Sequence, residues 1–113
     1  MPYYVEDDAR TLRQAFEKEV LLWPSVNTRR MFGCPAYLAD GRLFAFLVTD
    51  GVVITQLRHK DIETLAQDNQ TEPFKAGERV IERWTKVFIA DPVTIGRIMG
   101  FVRKSYQTAM ERR

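Results

Sequence analysis

The sequence predicts an α+β fold in two layers: an antiparallel sheet of about five strands, with N- and C-terminal helices packed on it. Two observations predict it. Asp-Gly pairs at 40–41 and 50–51 separate three apolar segments, which is typical of strands joined by hairpin turns. Amphipathic segments with helical spacing lie near both ends of the chain. Helices packed on one sheet bury the apolar side of each layer.

The N-terminal helix is predicted over residues 6–22. Its apolar residues recur every three or four positions and therefore share one helix face: Ala9, Leu12, Phe16, Val20 and Trp23. Acidic residues at 6–8 occupy the first turn, where the helix dipole favours negative charge. Pro24 ends the helix, because the residue before a proline avoids helical geometry.

The predicted strands cover residues 28–32, 36–39, 42–49, 52–57 and 84–89. Asp-Gly turns join the second, third and fourth of these into an antiparallel meander. A short helix is predicted at 60–67, and the polar segment 68–79 is predicted to be a mobile loop. Asp91-Pro92 predicts the start of the last helix, which runs to about Met110.

The third predicted strand is apolar on both faces. Strict alternation puts Leu43, Ala45 and Leu47 on one face, with Phe44, Phe46 and Val48 on the other. An antiparallel sheet covered by helices on one side normally presents polar residues on the other. Either a helix crosses the second face or another subunit covers it. The subunit is the favoured alternative, so the sequence predicts a homodimer.

Composition and charge limit the classes of partner. The 113 residues predict a single domain over 1–113, and a net charge of +2 favours neither nucleic acid nor a membrane as partner. The chain has one cysteine, which excludes an internal disulfide and suits a reducing cytoplasm. The first residues lack the pattern of a signal peptide, and no apolar run has the length of a membrane span. A cytoplasmic location is therefore expected.

No set of residues has the pattern of a reaction centre. His59 is the only histidine, and Asp61 stands two positions on, where side chains do not share a helix face. Cys34 lies between Gly33 and Pro35 without a nearby base, so a structural role is predicted for it. No spacing fits a zinc or calcium site. The sequence thus predicts no catalytic residue, no metal ligand and no cofactor.

Two glycines in the C-terminal segment, Gly96 and Gly100, are spaced four apart. Glycine lowers helix stability by about 1 kcal/mol relative to alanine. Their presence predicts a close backbone approach, either to the chain's own sheet or to another copy.

The segment Arg30-Met31-Phe32-Gly33, followed by the Asp40-Gly41 hairpin and Phe44 and Phe46, resembles the TfoX N-terminal domain family. The similarity extends to Glu72-Pro73-Phe74 and spans nearly the whole chain. It implies an α+β domain without established enzymatic chemistry, and it supplies no catalytic residue. A structural or interaction role is predicted for its motif residues: Arg30, Met31, Phe32, Gly33, Gly41, Phe44 and Phe46.

The resulting functional prediction is a non-enzymatic regulatory or protein-interaction module. The alternative is a small-molecule-binding domain with a pocket under the 72–83 loop. Met31 and Phe32 are expected on opposite faces of a strand, Arg30 at the surface, and Gly33 at a bend where glycine permits positive φ or a close backbone approach.

Overall fold

The computed structural model describes residues 2–112. Within them the chain forms three α-helices, one 3-10 helix and six strands. The helices are α1 Glu6–Val20, α2 His59–Asp68 and α3 Met99–Glu111, and the 3-10 helix is Pro92–Arg97. The strands are β1 Val26–Met31, β2 Cys34–Ala39, β3 Arg42–Val48, β4 Gly51–Ile54, β5 Thr71–Ala76 and β6 Arg79–Phe88. All neighbours pair antiparallel in the order β1-β2-β3-β4-β6-β5, which confirms the α+β class.

The predicted loop at 68–79 is wrong, and it accounts for the sixth strand. β5 and β6 form a hairpin around Gly77 and Glu78. Gly77 has φ 64°, as the first position of a type II′ turn requires. Only Phe74 of β5 is buried, and the three exposed residues are Glu72, Pro73 and Lys75, so the segment has little apolar alternation in the sequence. Proline is tolerated within it because β5 is an edge strand.

The turn between β1 and β2 has only two residues, Phe32 and Gly33. Their φ angles are 54° and 76°, and positive values at both positions are typical of a type I′ hairpin turn. The prediction of positive φ at Gly33 is therefore confirmed. The prediction that Phe32 alternates with Met31 on a strand is wrong, because β1 ends at Met31. The β2–β3 turn has the same form, with φ 52° at Asp40 and 82° at Gly41.

The C-terminal helix begins later than Asp91-Pro92 predicts. Asp91 does cap a helix, since its Oδ1 accepts a hydrogen bond from the Val93 N–H at 3.0 Å, but that helix is the 3-10 segment. α3 begins only at Met99. A Cβ atom added at Gly96 or Gly100 would meet no other atom within 4 Å. The predicted close backbone approach within the chain is therefore wrong.

A β-bulge in β3 alters the alternation of its side chains. Tyr37 pairs with Ala45 but Leu38 pairs with Leu43, so Phe44 is an extra residue. Phe44 consequently lies on the helix side of the sheet, where its ring is 5.5 Å from that of Tyr106. The prediction that Phe44 and Phe46 share a face is wrong.

The other face of β3 is covered by the chain itself. Phe46 is fully buried, with ring centroids 5.0 Å from Phe74 of β5 and 5.5 Å from Trp84 of β6. Phe32, at the opposite edge of the sheet, lies 6.4 Å from Phe74. A flat sheet would separate these positions by about 20 Å, so the sheet is strongly curled. The uncovered face that motivated the dimer prediction is therefore not present.

A charged network fastens α1 to the sheet. Tyr37 of β2 donates a hydrogen bond to Glu17 at 2.6 Å. Arg13 bridges Glu17 at 3.0 Å and Glu6 at 2.8 Å, and Tyr4 donates to Glu6 at 2.5 Å. The hydrogen bond from Arg13, and secondarily that from Tyr4, lowers the pKa of Glu6 to about 2. Glu6 is thus ionised throughout the ordinary pH range.

This network predicts acid sensitivity with a definite sign. The pKa of Glu6 in the folded protein lies below its ordinary value of 4.5, so its contribution to stability is complete above pH 4.5. That contribution is lost as the pH falls toward 2. We expect Glu6→Gln to weaken the fall in unfolding free energy across this range, measured by urea titration. Glu19→Gln, at an exposed residue of the same helix, should keep the wild-type pH profile. Identical profiles for both variants would contradict the assignment.

Candidate functional site

Five aromatic rings lie close together on the face of the sheet opposite α1 and α3: Tyr3, Phe32, Phe46, Phe74 and Trp84. We call them the aromatic patch. Buried Phe46 lies at its base, with the rings of Phe32, Phe74 and Trp84 between 5.0 and 6.5 Å away. The N-terminal segment adds Tyr3, whose ring is 5.4 Å from Phe74 and 5.9 Å from Phe32. The curl of the sheet is what brings these rings together.

Phe32 is the most unusual member of the aromatic patch. Phe32 is 49% exposed, and its backbone is left-handed with φ 54°. Bulky residues rarely adopt this conformation, which costs on the order of 1 kcal/mol. Asn or Gly would satisfy the same turn without that cost. The ring's contacts with Tyr3, Phe46 and Phe74, rather than the turn, therefore favour a phenylalanine here, and half of the residue remains exposed.

An open cleft of about 570 Å³ adjoins the aromatic patch. Tyr3, Val5 and Phe74 form apolar parts of its wall, and its charged residues are Asp8, Asp50, Glu72, Lys75 and Lys86. Lys86 is largely buried: its Nζ lies 3.0 Å from Asp50 Oδ1 and 4.2 Å from the centre of the Phe88 ring. The volume is in the range of small-molecule sites.

The motif residues predicted from the sequence do not form one site. Phe32 and Phe46 belong to the aromatic patch, whereas Phe44 lies on the opposite face. Gly33 and Gly41 shape two separate turns.

The two remaining motif residues lie at the end of β1. Arg30 is exposed, as expected, and donates a hydrogen bond to the Gly33 carbonyl at 3.1 Å. Met31 is half-buried. Arg30 thus stabilises the β1–β2 turn that carries Phe32, and Met31 pairs with Cys34 across that turn.

Three members of the aromatic patch were not assigned to a site from the sequence: Tyr3, Phe74 and Trp84. Tyr3 precedes the first predicted element, and Phe74 lies in the segment predicted as a loop. The Tyr3 hydroxyl accepts a hydrogen bond from the Gly77 N–H at 2.8 Å, which links the N-terminal segment to the β5–β6 turn. No local pattern indicates this contact, since the two residues are 74 positions apart.

Cys34 begins β2 and is buried. Its thiol lies 3.7 Å from the Phe32 carbonyl oxygen, a distance compatible with a weak S–H hydrogen bond. Burial raises the pKa of Cys34 to about 11, and the positive charge of Arg30 offsets this only in part. The nucleophilic thiolate is therefore scarce at neutral pH.

This burial predicts slow thiol chemistry. At neutral pH, we expect native Cys34 to react with an aromatic disulfide reagent about a hundredfold more slowly than the urea-unfolded chain. Because the chain has one cysteine, the absorbance change reports Cys34 alone. Equal rates in the two states would show a reactive thiol and contradict its structural role.

His59 is exposed and lies 3.3 Å from Glu63, one helical turn along α2. Among residues 2–112, no group of three or more His, Cys, Asp or Glu side chains is placed to hold a metal ion. Over the same residues, no helix combines the length and apolar character needed to cross a membrane.

Comparison of the chain with known proteins gives no match, either to a protein-family model or to a curated sequence.

Proposed function

We propose that this chain is a non-enzymatic protein-interaction module with a regulatory role, and that the aromatic patch is its contact surface. The proposal includes a relationship to the TfoX N-terminal domain family, which the Arg30–Gly33 segment suggests, and a cytoplasmic location. The observation that carries it is Phe32, a half-exposed ring held in a left-handed turn.

The arrangement around Phe32 has the properties of an interface anchor. Aromatic side chains are enriched at the centres of protein interfaces, where a few residues supply most of the binding energy. Phe32 projects from a two-residue turn, and Phe46 and Phe74 support its ring from beneath. A supported ring loses little conformational freedom when a partner covers it.

A second copy of the chain is the first partner we propose, although the chain itself covers the face of β3 that led the sequence to predict a homodimer. The contact would be the aromatic patch rather than a bare face of β3. Light scattering at micromolar concentration should then give twice the 13.2 kDa mass of one chain. If light scattering gives the mass of one chain, the partner that contacts the aromatic patch would be a different protein. Nucleic acid is not proposed as a partner, because acidic and basic residues are nearly balanced.

A photo-reactive benzoyl-phenylalanine at position 32 tests the contact surface, because it keeps an aromatic ring there. The matched control carries the same residue in place of Val93, which is 88% exposed and apolar but outside the aromatic patch. We expect saturable cross-linking from position 32, to itself or to one protein of the host extract, and none from position 93. Equal yields at both positions would overturn the proposal.

The cleft beside the aromatic patch supports a second candidate function, a small-molecule site. Residues Glu72, Phe74 and Lys75 of β5 line it, so it lies against the segment under which the sequence placed a pocket. A thermal-shift screen of small metabolites is the test. A true ligand should lose its effect in Val5→Trp, which fills the cleft without changing Phe32. A ligand that stabilises both proteins equally would argue against this site.

A further inference from the structure

The outer edge of β1 is open along its length. β1 is the terminal strand of the sheet, and Asn27, Thr28, Arg29 and Arg30 are all exposed. The opposite terminal strand, β5, contains Pro73, which lacks a backbone donor and so weakens that edge for pairing. β1 has no proline and no bulge, since its register with β2 is unbroken. It is therefore the edge better suited to accept a further strand.

The register shows which backbone groups face outward. The Ser25 carbonyl accepts a hydrogen bond from the Asp40 N–H at 3.1 Å, and bonding alternates along an antiparallel strand. Asn27, Arg29 and Met31 therefore exchange hydrogen bonds with β2. Thr28 and Arg30 direct their N–H and C=O groups away from the sheet. These are the groups that an added strand would use.

Two positively charged side chains, Arg29 and Arg30, lie on β1 at this open edge. The Arg29 side chain has no hydrogen-bond or ion-pair partner among the described residues, and the Arg30 side chain donates only to the Gly33 carbonyl. Both line a cleft of about 640 Å³ between β1 and α1. The carboxylates in this cleft, Glu6 and Glu17, are already paired with Arg13. The cleft thus holds three arginines against two carboxylates, a net charge of +1, and Arg29 and Arg30 lie outside the Arg13 ion pairs.

We propose that the outer edge of β1 binds an extended acidic segment of a partner protein as a seventh strand. The inference rests on the proposed interaction function and names the chemistry of a partner other than a second copy of the chain. Backbone pairing with Thr28 and Arg30 would hold the segment, and its carboxylates would meet Arg29 and Arg30. A second copy of β1 fits this edge poorly, because like charges on paired strands repel. Phe32 directly follows β1, so the partner could contact the edge and the aromatic patch together.

A fluorescent peptide of alternating glutamate and valine is the probe. We expect saturable anisotropy changes with the wild-type chain at about 150 mM salt, where surface charges are already screened. Two matched peptides separate the contributions. One replaces glutamate by lysine. The other keeps glutamate but carries N-methyl groups on amides that face each of its two edges. We expect neither to bind. Equal binding of the N-methylated peptide would reduce the contact to charge alone and overturn the strand-addition inference.

Protein variants locate the contact. Thr28→Pro removes one outward N–H, and we expect it to weaken acidic-peptide binding about five- to tenfold. Arg29→Gln with Arg30→Gln should weaken it by a similar factor or more. Lys60→Gln with Arg112→Gln removes the same charge from exposed positions elsewhere and should leave affinity unchanged. If Thr28→Pro fails to fold, the N-methylated peptide on the wild-type chain still decides the question.

Amide hydrogen exchange gives a direct reading. We expect the acidic peptide to slow exchange at Thr28 and Arg30 and to leave Arg29, already bonded to β2, unchanged. Absent peptide binding, or protection elsewhere only, would refute this inference. Cross-linking from position 32 would then still support the interaction function. Conversely, peptide protection without cross-linking would retain the β1 edge and remove the aromatic patch as the contact surface.

Discussion

Gly51→Ala is expected to lower the free energy of unfolding by about 3 kcal/mol. Gly51 begins β4 opposite β6, and an added Cβ atom would lie 2.2 Å from the Val87 carbonyl oxygen. That oxygen belongs to the backbone of β6 at the buried residue Val87, so no side-chain rotation can relieve the clash. Relief requires β4 and β6 to separate, which strains the ladder between them. Urea or guanidinium denaturation of the purified variant measures the loss.

Gly100→Ala is the matched control for this substitution. Gly100 is exposed in α3, and its added Cβ atom would meet nothing within 4 Å. Alanine favours helix formation over glycine, so the variant should be unchanged or more stable by up to about 1 kcal/mol. A loss at Gly51 no larger than the change at Gly100 would show that β4 and β6 can adjust.

Phe46→Ala is expected to destabilise the fold by about 3–5 kcal/mol. Its ring is fully buried at the base of the aromatic patch and packs on Phe32, Phe74 and Trp84. Truncation leaves a cavity beneath the curled sheet, which neighbouring strands cannot close without losing their pairing. Thermal and chemical denaturation should agree on the loss.

Phe32→Asn is the matched aromatic truncation in the same patch. Phe32 is half exposed, and asparagine tolerates its left-handed backbone. The lost ring contacts and the relieved backbone strain oppose each other, so stability should change by less than about 1 kcal/mol. Partner binding should nevertheless be lost, so light scattering of the variant should give the mass of one chain, 13.2 kDa. A loss of stability as large as that of Phe46→Ala would make Phe32 a structural residue instead.

Much of the local structure follows from neighbouring residues. The Asp40-Gly41 pair predicts a turn because glycine adopts positive φ without steric cost, and both residues have positive φ in the structure. The spacing of Ala9, Leu12, Phe16, Val20 and Trp23 predicts one buried helix face. The first four are buried on α1, whereas Trp23 lies beyond the end of α1 at Val20 and is half-buried. Gly33 was likewise identified from its place before Cys34-Pro35. Each prediction depends on backbone preferences or on residues within about one helical turn.

The candidate site was only partly foreseeable for a physical reason. The segment Arg30–Gly33 stands out in the sequence, but the rings that contact Phe32 come from residues 3, 46 and 74. The β5–β6 hairpin was missed because its polar edge strand has weak alternation and contains Pro73. Without that hairpin, one apolar face of β3 has no cover from within the chain, and a dimer becomes the natural prediction.

By itself, the sequence determined the α+β class, the two terminal helical regions and the turn at Asp40-Gly41, since short-range sterics and periodicity decide these. At the predicted Asp50-Gly51 turn, the turn residues are Thr49 and Asp50, and Gly51 already belongs to β4. Only the tertiary structure decided that Phe44 and Phe46 face opposite sides, because an extra residue in β3 changes the alternation. It also decided that the curled sheet buries Phe46 and leaves Phe32 half exposed. Those outcomes depend on contacts between distant segments, whose energies no local pattern records.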